Sequence, residues 1–97
     1  MRVPLTFQDI RREVRQVAKR YGIERVYLFG SYARGDATVQ SDVDLRVNPG
    51  AAKGMAIGGF QYDVQEALGC EVDVAVTGSL SARFLAAIAE DEVLLYG

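Results

Sequence analysis

Two stretches of six residues, Asp42-Val43-Asp44-Leu45-Arg46-Val47 and Glu71-Val72-Asp73-Val74-Ala75-Val76, constrain the fold of this chain most. Both alternate apolar with other residues, the period of a strand that buries one face. Val43, Leu45 and Val47 fall on one side of the first stretch, with Asp42, Asp44 and Arg46 on the other. The second repeats the pattern, with Val72, Val74 and Val76 opposed by Asp73.

The segments around them read as helices and two further strands. Phe7, Ile10, Val14, Val17 and Tyr21 recur at helical spacing, which predicts a helix over residues 7–21. Thr6 and Asp9 are placed to cap its start, and Gly22 to stop it. Arg11, Arg12, Arg15, Lys19 and Arg20 lie mostly off the apolar stripe, forming either a solvated helix surface or a basic surface that meets an acidic partner. Residues 25–29, Arg-Val-Tyr-Leu-Phe, are rich in strand formers and stop at Gly30. Tyr32-Ala33-Arg34 opens a short helix, and the small polar residues 35–41 form a loop. The backbone N–H groups of Gly30, Ser31 and Tyr32 would then point together above the strand end, as an anion site does.

Asn48-Pro49-Gly50 breaks the strand at 42–47. Residues 50–59 hold four glycines in ten, which is either a mobile loop or a weakly started helix. Ile57, Phe60, Val64 and Ala67/Leu68 predict a second long helix over 56–68, ended by Gly69. Gly58 and Gly59 cost it about 1 kcal/mol each relative to alanine, and they permit close packing. After the strand at 71–76, Ser79 or Ser81 caps a last helix to about residue 90, with Phe84, Leu85 and Ile88 turned inward. Residues 93–96 make a final strand. The expectation is an α+β domain of three to four strands and three to four helices, one unit over residues 1–97.

Composition removes several classes of function. With no histidine and a single cysteine, Cys70, the chain has neither a tetrahedral Cys/His zinc set nor an internal disulfide, and Cys70 is expected as buried apolar filler. No apolar run approaches the roughly 20 residues that span a bilayer, and Met1-Arg2-Val3-Pro4 lacks the apolar region of a signal peptide. The chain is therefore expected in the cytoplasm, away from membranes. A net charge of −2 argues against general binding to a phosphate backbone, so no direct nucleic-acid partner is expected. A nucleotide would need a local device, such as a metal.

The carboxylates supply one. Asp42 and Asp44 project from the same face of a strand, and Asp73 completes a triangle if the two alternating strands pair at the usual spacing of about 4.8 Å. Three such charges repel, and a divalent cation relieves the repulsion. Hard oxygen ligands suit Mg²⁺ or Mn²⁺, and two ions roughly 4 Å apart can serve phosphoryl or nucleotidyl transfer. The Gly30-Ser31 turn would receive the leaving pyrophosphate, with Arg34 adding positive charge. Each feature alone is ordinary surface; their combination favours a site.

The segment Gly30-Ser31-Tyr32-Ala33-Arg34-Gly35 followed by Ser41-Asp42-Val43-Asp44-Leu45 resembles the G-S-x-A-R-G, S-D-x-D-L signature of the minimal nucleotidyltransferases of the DNA polymerase β superfamily. Leu68-Gly69, Val72-Asp73-Val74 and Leu94-Leu95-Tyr96 match later points of the same pattern. The resemblance implies the nucleotidyltransferase fold with a small mixed sheet. It also implies an enzyme in which Asp42, Asp44 and Asp73 hold two Mg²⁺, with Asp73 as base or third ligand, while Gly30, Ser31, Arg34 and Ser41 hold ATP. The glycines of residues 50–59 make that stretch looser than the family pattern.

Many proteins of this family are antitoxins encoded beside a HEPN-domain RNase toxin, to which they transfer AMP, at a tyrosine. A hetero-oligomer with such a toxin is the corresponding expectation. The alternative is a binding module that neutralises the same partner by occlusion, without catalysis. An enzyme acting on a small molecule is disfavoured, since such enzymes usually carry a further helical domain. Tyr21, Tyr27, Tyr32, Tyr62 and Tyr96 read as packed or half-buried residues.

Overall fold

Thr6 and Asp9 start the first helix as their spacing predicts. The Thr6 hydroxyl accepts the Asp9 N–H at 3.0 Å, and the Asp9 carboxylate accepts the Thr6 N–H at 3.2 Å. The structure is a computed structural model that describes residues 4–52 and 54–97. Residues 1–3, at the start expected to lack a signal peptide, and Lys53 in the glycine-rich stretch lie outside the described residues. Helix α1 (Phe7–Tyr21) ends at Gly22, whose φ of 70° is left-handed.

The chain continues through β1 (Arg25–Phe29), α2 (Ser31–Arg34), β2 (Val43–Asn48) and α3 (Gly54–Leu68). Then come β3 (Val72–Val76), a 3₁₀ turn (Thr77–Ser79), α4 (Ala82–Ala89) and β4 (Val93–Tyr96). The four strands form one mixed sheet in the order β3-β2-β1-β4. β2 and β3 run parallel, and β1 is antiparallel to β2 and β4. The expected α+β class with a small mixed sheet is what the chain adopts.

One face of the sheet is the core. Val26 and Leu28, Val43, Leu45 and Val47, and Val72 are fully buried there. Ile10 and Val14 of α1 and Phe60 and Val64 of α3, also fully buried, belong to the same core cluster. Each such side chain stabilises the fold by about 1.5–3 kcal/mol. The two covering helices pack closely at Gly59, where a Cβ would stand 2.8 Å from the Tyr21 ring. Gly58 has no neighbour at that range, so only one of the glycine pair serves packing. The Tyr21 hydroxyl donates to Asp63 at 2.7 Å, and Arg20 donates to the same carboxylate at 3.1 Å.

Several expectations are corrected. The glycine-rich stretch becomes a helix from Gly54, two residues ahead of the predicted start, because packing against α1 outweighs the weak propensity of its glycines. β2 and β3 begin one residue late, at Val43 and Val72. Of the two serines, Ser81 caps α4 by accepting the Phe84 N–H at 3.0 Å. α4 does not turn inward: none of its residues is buried and Phe84 is 39% exposed. The core face is already covered by α1 and α3, so α4 leans on the other face, where the Phe84 ring meets Phe29 edge-on at 5.8 Å. Tyr62 is exposed, and Cys70 only half-buried against the core. No helix among the described residues is long and apolar enough to cross a membrane.

Candidate active site

The site is assembled where β1 stops. Gly30 has a φ of 77°, which favours glycine, and a Cβ there would collide with the Asp44 carboxylate. The missing side chain thus lets the turn lie directly on that acid. The Gly30 carbonyl accepts the N–H groups of Ala33 at 3.1 Å and Arg34 at 3.0 Å, which winds α2, and Gly35 closes it with a φ of 85°. No side chain caps α2 at its start. The Tyr32 hydroxyl accepts the Leu5 N–H at 3.4 Å and ties the turn to the segment before α1.

Strand register does the rest. Phe29 lies opposite Asp44 across β1 and β2, and Asp44 lies opposite Asp73 across β2 and β3. The pairing of the two alternating strands on which the triangle depended is therefore present. Asp44 is half-buried, whereas Asp73 is exposed and Asp42, just ahead of β2, is exposed as well. Burial, the negative charges of Asp73 and Asp42, and a hydrogen bond to the Asp73 carboxyl push the Asp44 pKa up, and the charge of Arg34 pulls it partly back.

A groove of about 370 Å³ opens beside this acid. Gly30, Ser31, Arg34 and Asp44 form one wall, and Phe29, Phe84, Ala87, Ile88 and Asp91 form the other. Four of the seven residues singled out from the sequence thus share one groove, and Asp73 and Asp42 join them through Asp44. Ser41 does not line it; its hydroxyl accepts the Thr38 N–H at 2.8 Å and staples the loop that leads into Asp42. Arg34 reaches Asp36 at 3.3 Å in an exposed pair, which leaves its charge close to the groove but weakly held.

Sequence reasoning missed the second wall. The apolar stripe of α4 was legible as a stripe, but its periodicity cannot say which face of the sheet it meets. Asp91 sits in an acidic run, Glu90-Asp91-Glu92, that reads as ordinary surface. The neighbouring Glu92 was also unforeseen as the partner of Arg46. Two guanidinium nitrogens of Arg46 meet the Glu92 carboxylate at 2.6 Å each, and a third donates to the Thr77 hydroxyl at 2.8 Å. The guanidinium also lies 4.0 Å from the centre of the Tyr27 ring. The basic residue on the face of the aspartates is thus a brace between β2 and the start of β4.

The donor set fits a hard divalent cation. Every candidate ligand is a carboxylate oxygen, and the Asp44 pKa, raised first by burial and then by the charges of Asp73 and Asp42, marks a charged form that a cation would stabilise. Among the described residues no three His, Cys, Asp or Glu side chains form a ready-made cage. Mg²⁺ needs none, since it keeps waters and takes phosphate oxygens beside one or two carboxylates.

The model of the nucleotidyltransferase domain family matches residues 9–96. A candidate protein adenylyltransferase of Methanocaldococcus jannaschii, MJ0435, is 32% identical over 78% of this chain and 83% of its own. The protein adenylyltransferase MntA of Thermococcus cleftensis is 31% identical over 70% of each chain. A solved toxin-antitoxin structure with AMP-PNP superimposes with a TM-score of 0.77 at 22% identity, covering 90% of this chain and 73% of that one. A tri-AMPylated HEPN toxin in complex with its MNT antitoxin, from Shewanella oneidensis, gives a TM-score of 0.70 at 20% identity, covering 93% and 71%. These two structures share the fold. With the family model spanning both the Gly-Ser turn and all three aspartates, the chain belongs to the nucleotidyltransferase domain family.

Proposed function

We propose that this nucleotidyltransferase is a protein adenylyltransferase, moving AMP from ATP to a tyrosine hydroxyl of a HEPN-domain toxin and so acting as its antitoxin in the cytoplasm. The observation that carries the reading is the register that sets Asp44 beside Asp73, with the side-chain-free Gly30 lying on Asp44. The named relatives and the toxin-antitoxin neighbours supply the acceptor class.

Asp44 and Asp73, with Asp42 alongside, are the residues that would hold Mg²⁺, two ions in our reading. When bound, Mg²⁺ neutralises the carboxylates and draws charge from the phosphate oxygens. The Gly30-Ser31 turn receives the triphosphate, where backbone can approach the oxygens and the Ser31 hydroxyl adds a donor. Arg34 balances charge on the departing pyrophosphate. The acceptor oxygen forms a bond to the α-phosphorus as the bond to the pyrophosphate oxygen breaks, and Asp73, the exposed acid, takes the hydroxyl proton or serves as a ligand. Phe29, Phe84 and Ile88 offer an apolar wall to the rest of the nucleotide. Ser41 acts by holding the loop before Asp42.

The test is transfer of label from α-labelled ATP to a HEPN-domain partner in the presence of Mg²⁺. The expected result is a labelled partner with the wild-type chain and a loss of more than about 100-fold with Asp44→Asn. Equal labelling by both proteins, or none by either, overturns the reading. Full neutralisation of the toxin by an Asp42→Asn/Asp44→Asn variant would favour occlusion instead.

A further inference from the structure

The two edges of the sheet are treated differently. At the β3 edge, α3 reaches over: the Gln61 side chain donates to the Val72 carbonyl at 2.7 Å, and Gln65 accepts the Val72 N–H at 3.2 Å. Those bonds occupy the outward backbone groups of Val72, where an added strand would begin to pair. At the β4 edge, no side chain or backbone group among the described residues bonds the outer side of Val93–Tyr96. The strand is short, four residues, and its pairing with β1 shifts register between Val26 and Tyr27, but its outer backbone carries no Pro or charged side chain.

The flank beside that open edge is a stripe of α1. Phe7, Arg11 and Arg15 are spaced by four, so they line one row along the helix. Together with Leu94, Leu95, Tyr96 and Gly97 they bound a groove of about 250 Å³, and a second hollow of about 360 Å³ continues from the same two arginines to Arg12 and Gln16. Phe7 is 38% and Leu94 46% exposed. Arg12 and Arg20 are paired with acids of the chain, whereas Arg11 and Arg15 have no such pair among the described residues. A chain of net charge −2 therefore presents a local cationic strip against an unpaired apolar strand.

We infer that the α1/β4 edge is a docking site for a partner polypeptide, which adds an extended, acidic and apolar segment beside β4 as a fifth strand. Alternation along that segment fits the surroundings: its acids face Arg11 and Arg15 on the helix side, and its apolar residues face Leu94 on the other. A second copy of this chain fits poorly. Antiparallel pairing of two β4 edges puts the two-fold axis perpendicular to the sheet, which sets the two α1 stripes, and their arginines, against each other. The docking site is separate from the carboxylate groove and does not rest on the transfer activity.

The probe is a synthetic peptide of alternating Glu and Val, titrated into the ¹⁵N-labelled chain and followed by NMR and calorimetry. Binding is expected with shifts confined to α1 and β4, and with affinity falling about tenfold or more in Arg11→Glu/Arg15→Glu and in high salt. Asp44→Asn is expected to bind the peptide as the wild type does, and a fully N-methylated peptide not at all. The inference is overturned if the peptide does not bind, or if a Lys-Val peptide binds as well. It is equally overturned if the N-methylated peptide competes, if an oligouridine probe takes the site in its place, or if sedimentation shows self-association through β4.

Discussion

On one face of the sheet Val26, Leu28, Val43, Leu45, Val47 and Val72 are wholly buried within the core that α1 and α3 complete. On the other, the same strands present Tyr27, Phe29, Asp44, Arg46 and Asp73, with α4 leaning over one end. Residues one step apart in sequence therefore serve opposite ends. The closed face supplies burial free energy, and the open face holds Asp44, whose charged form is disfavoured by burial and by the neighbouring Asp73 and Asp42. Separating the two by strand alternation lets a small chain carry a costly cluster without interrupting its core.

The largest expected effect comes from breaking the closed face. Phe60→Ala removes a fully buried ring between α3 and the sheet and should cost about 3–5 kcal/mol by denaturant unfolding. Arg46→Ala tests whether the open face also bears structure. It strands Glu92, which is 14% exposed, and should cost about 3 kcal/mol, most of it recovered in Arg46→Met/Glu92→Leu. Gly30→Ala forces a left-handed backbone on alanine and a Cβ onto Asp44, so it should cost about 2 kcal/mol and also abolish transfer. Phe84→Ala, on the exposed helix, should cost only about 1 kcal/mol by thermal unfolding while raising the KM for ATP. Should Phe84→Ala destabilise as much as Phe60→Ala, the division between the faces would be wrong.

How legible this was depended on the range of the interactions. The alternation of β2 and β3, the Thr6–Asp9 cap and the Gly30 turn are set by neighbours within a few residues, and they could be read directly. The three aspartates could be named because alternation fixes their face and the motif their spacing. What failed was long-range. α4 has a stripe but no label for the surface it meets, so Phe84 and Ile88 were assigned to the core instead of the groove. The Arg46–Glu92 brace joins residues 46 apart, and no local pattern announces it. The reach of Gln61 and Gln65 to the Val72 backbone at one edge of the sheet is likewise set by packing, with no local pattern to announce it.

Asp44 offers the most direct test, because it belongs to the open face and is held there against its own charge. Its folded pKa is raised above the unfolded value of about 3.9. The folded state therefore holds its proton more tightly, and this group's contribution to stability is greatest below the unfolded pKa and is lost as pH rises through the folded one. Asp44→Asn has no such loss. Thermal unfolding of both proteins should then show the variant more stable at pH 7 in chelator, the gap closing towards pH 3, and Mg²⁺ raising the Tm of the wild type alone. A variant that is less stable than the wild type at pH 7 in chelator, or that gains as much from Mg²⁺, would contradict the assignment of this face to cation and nucleotide.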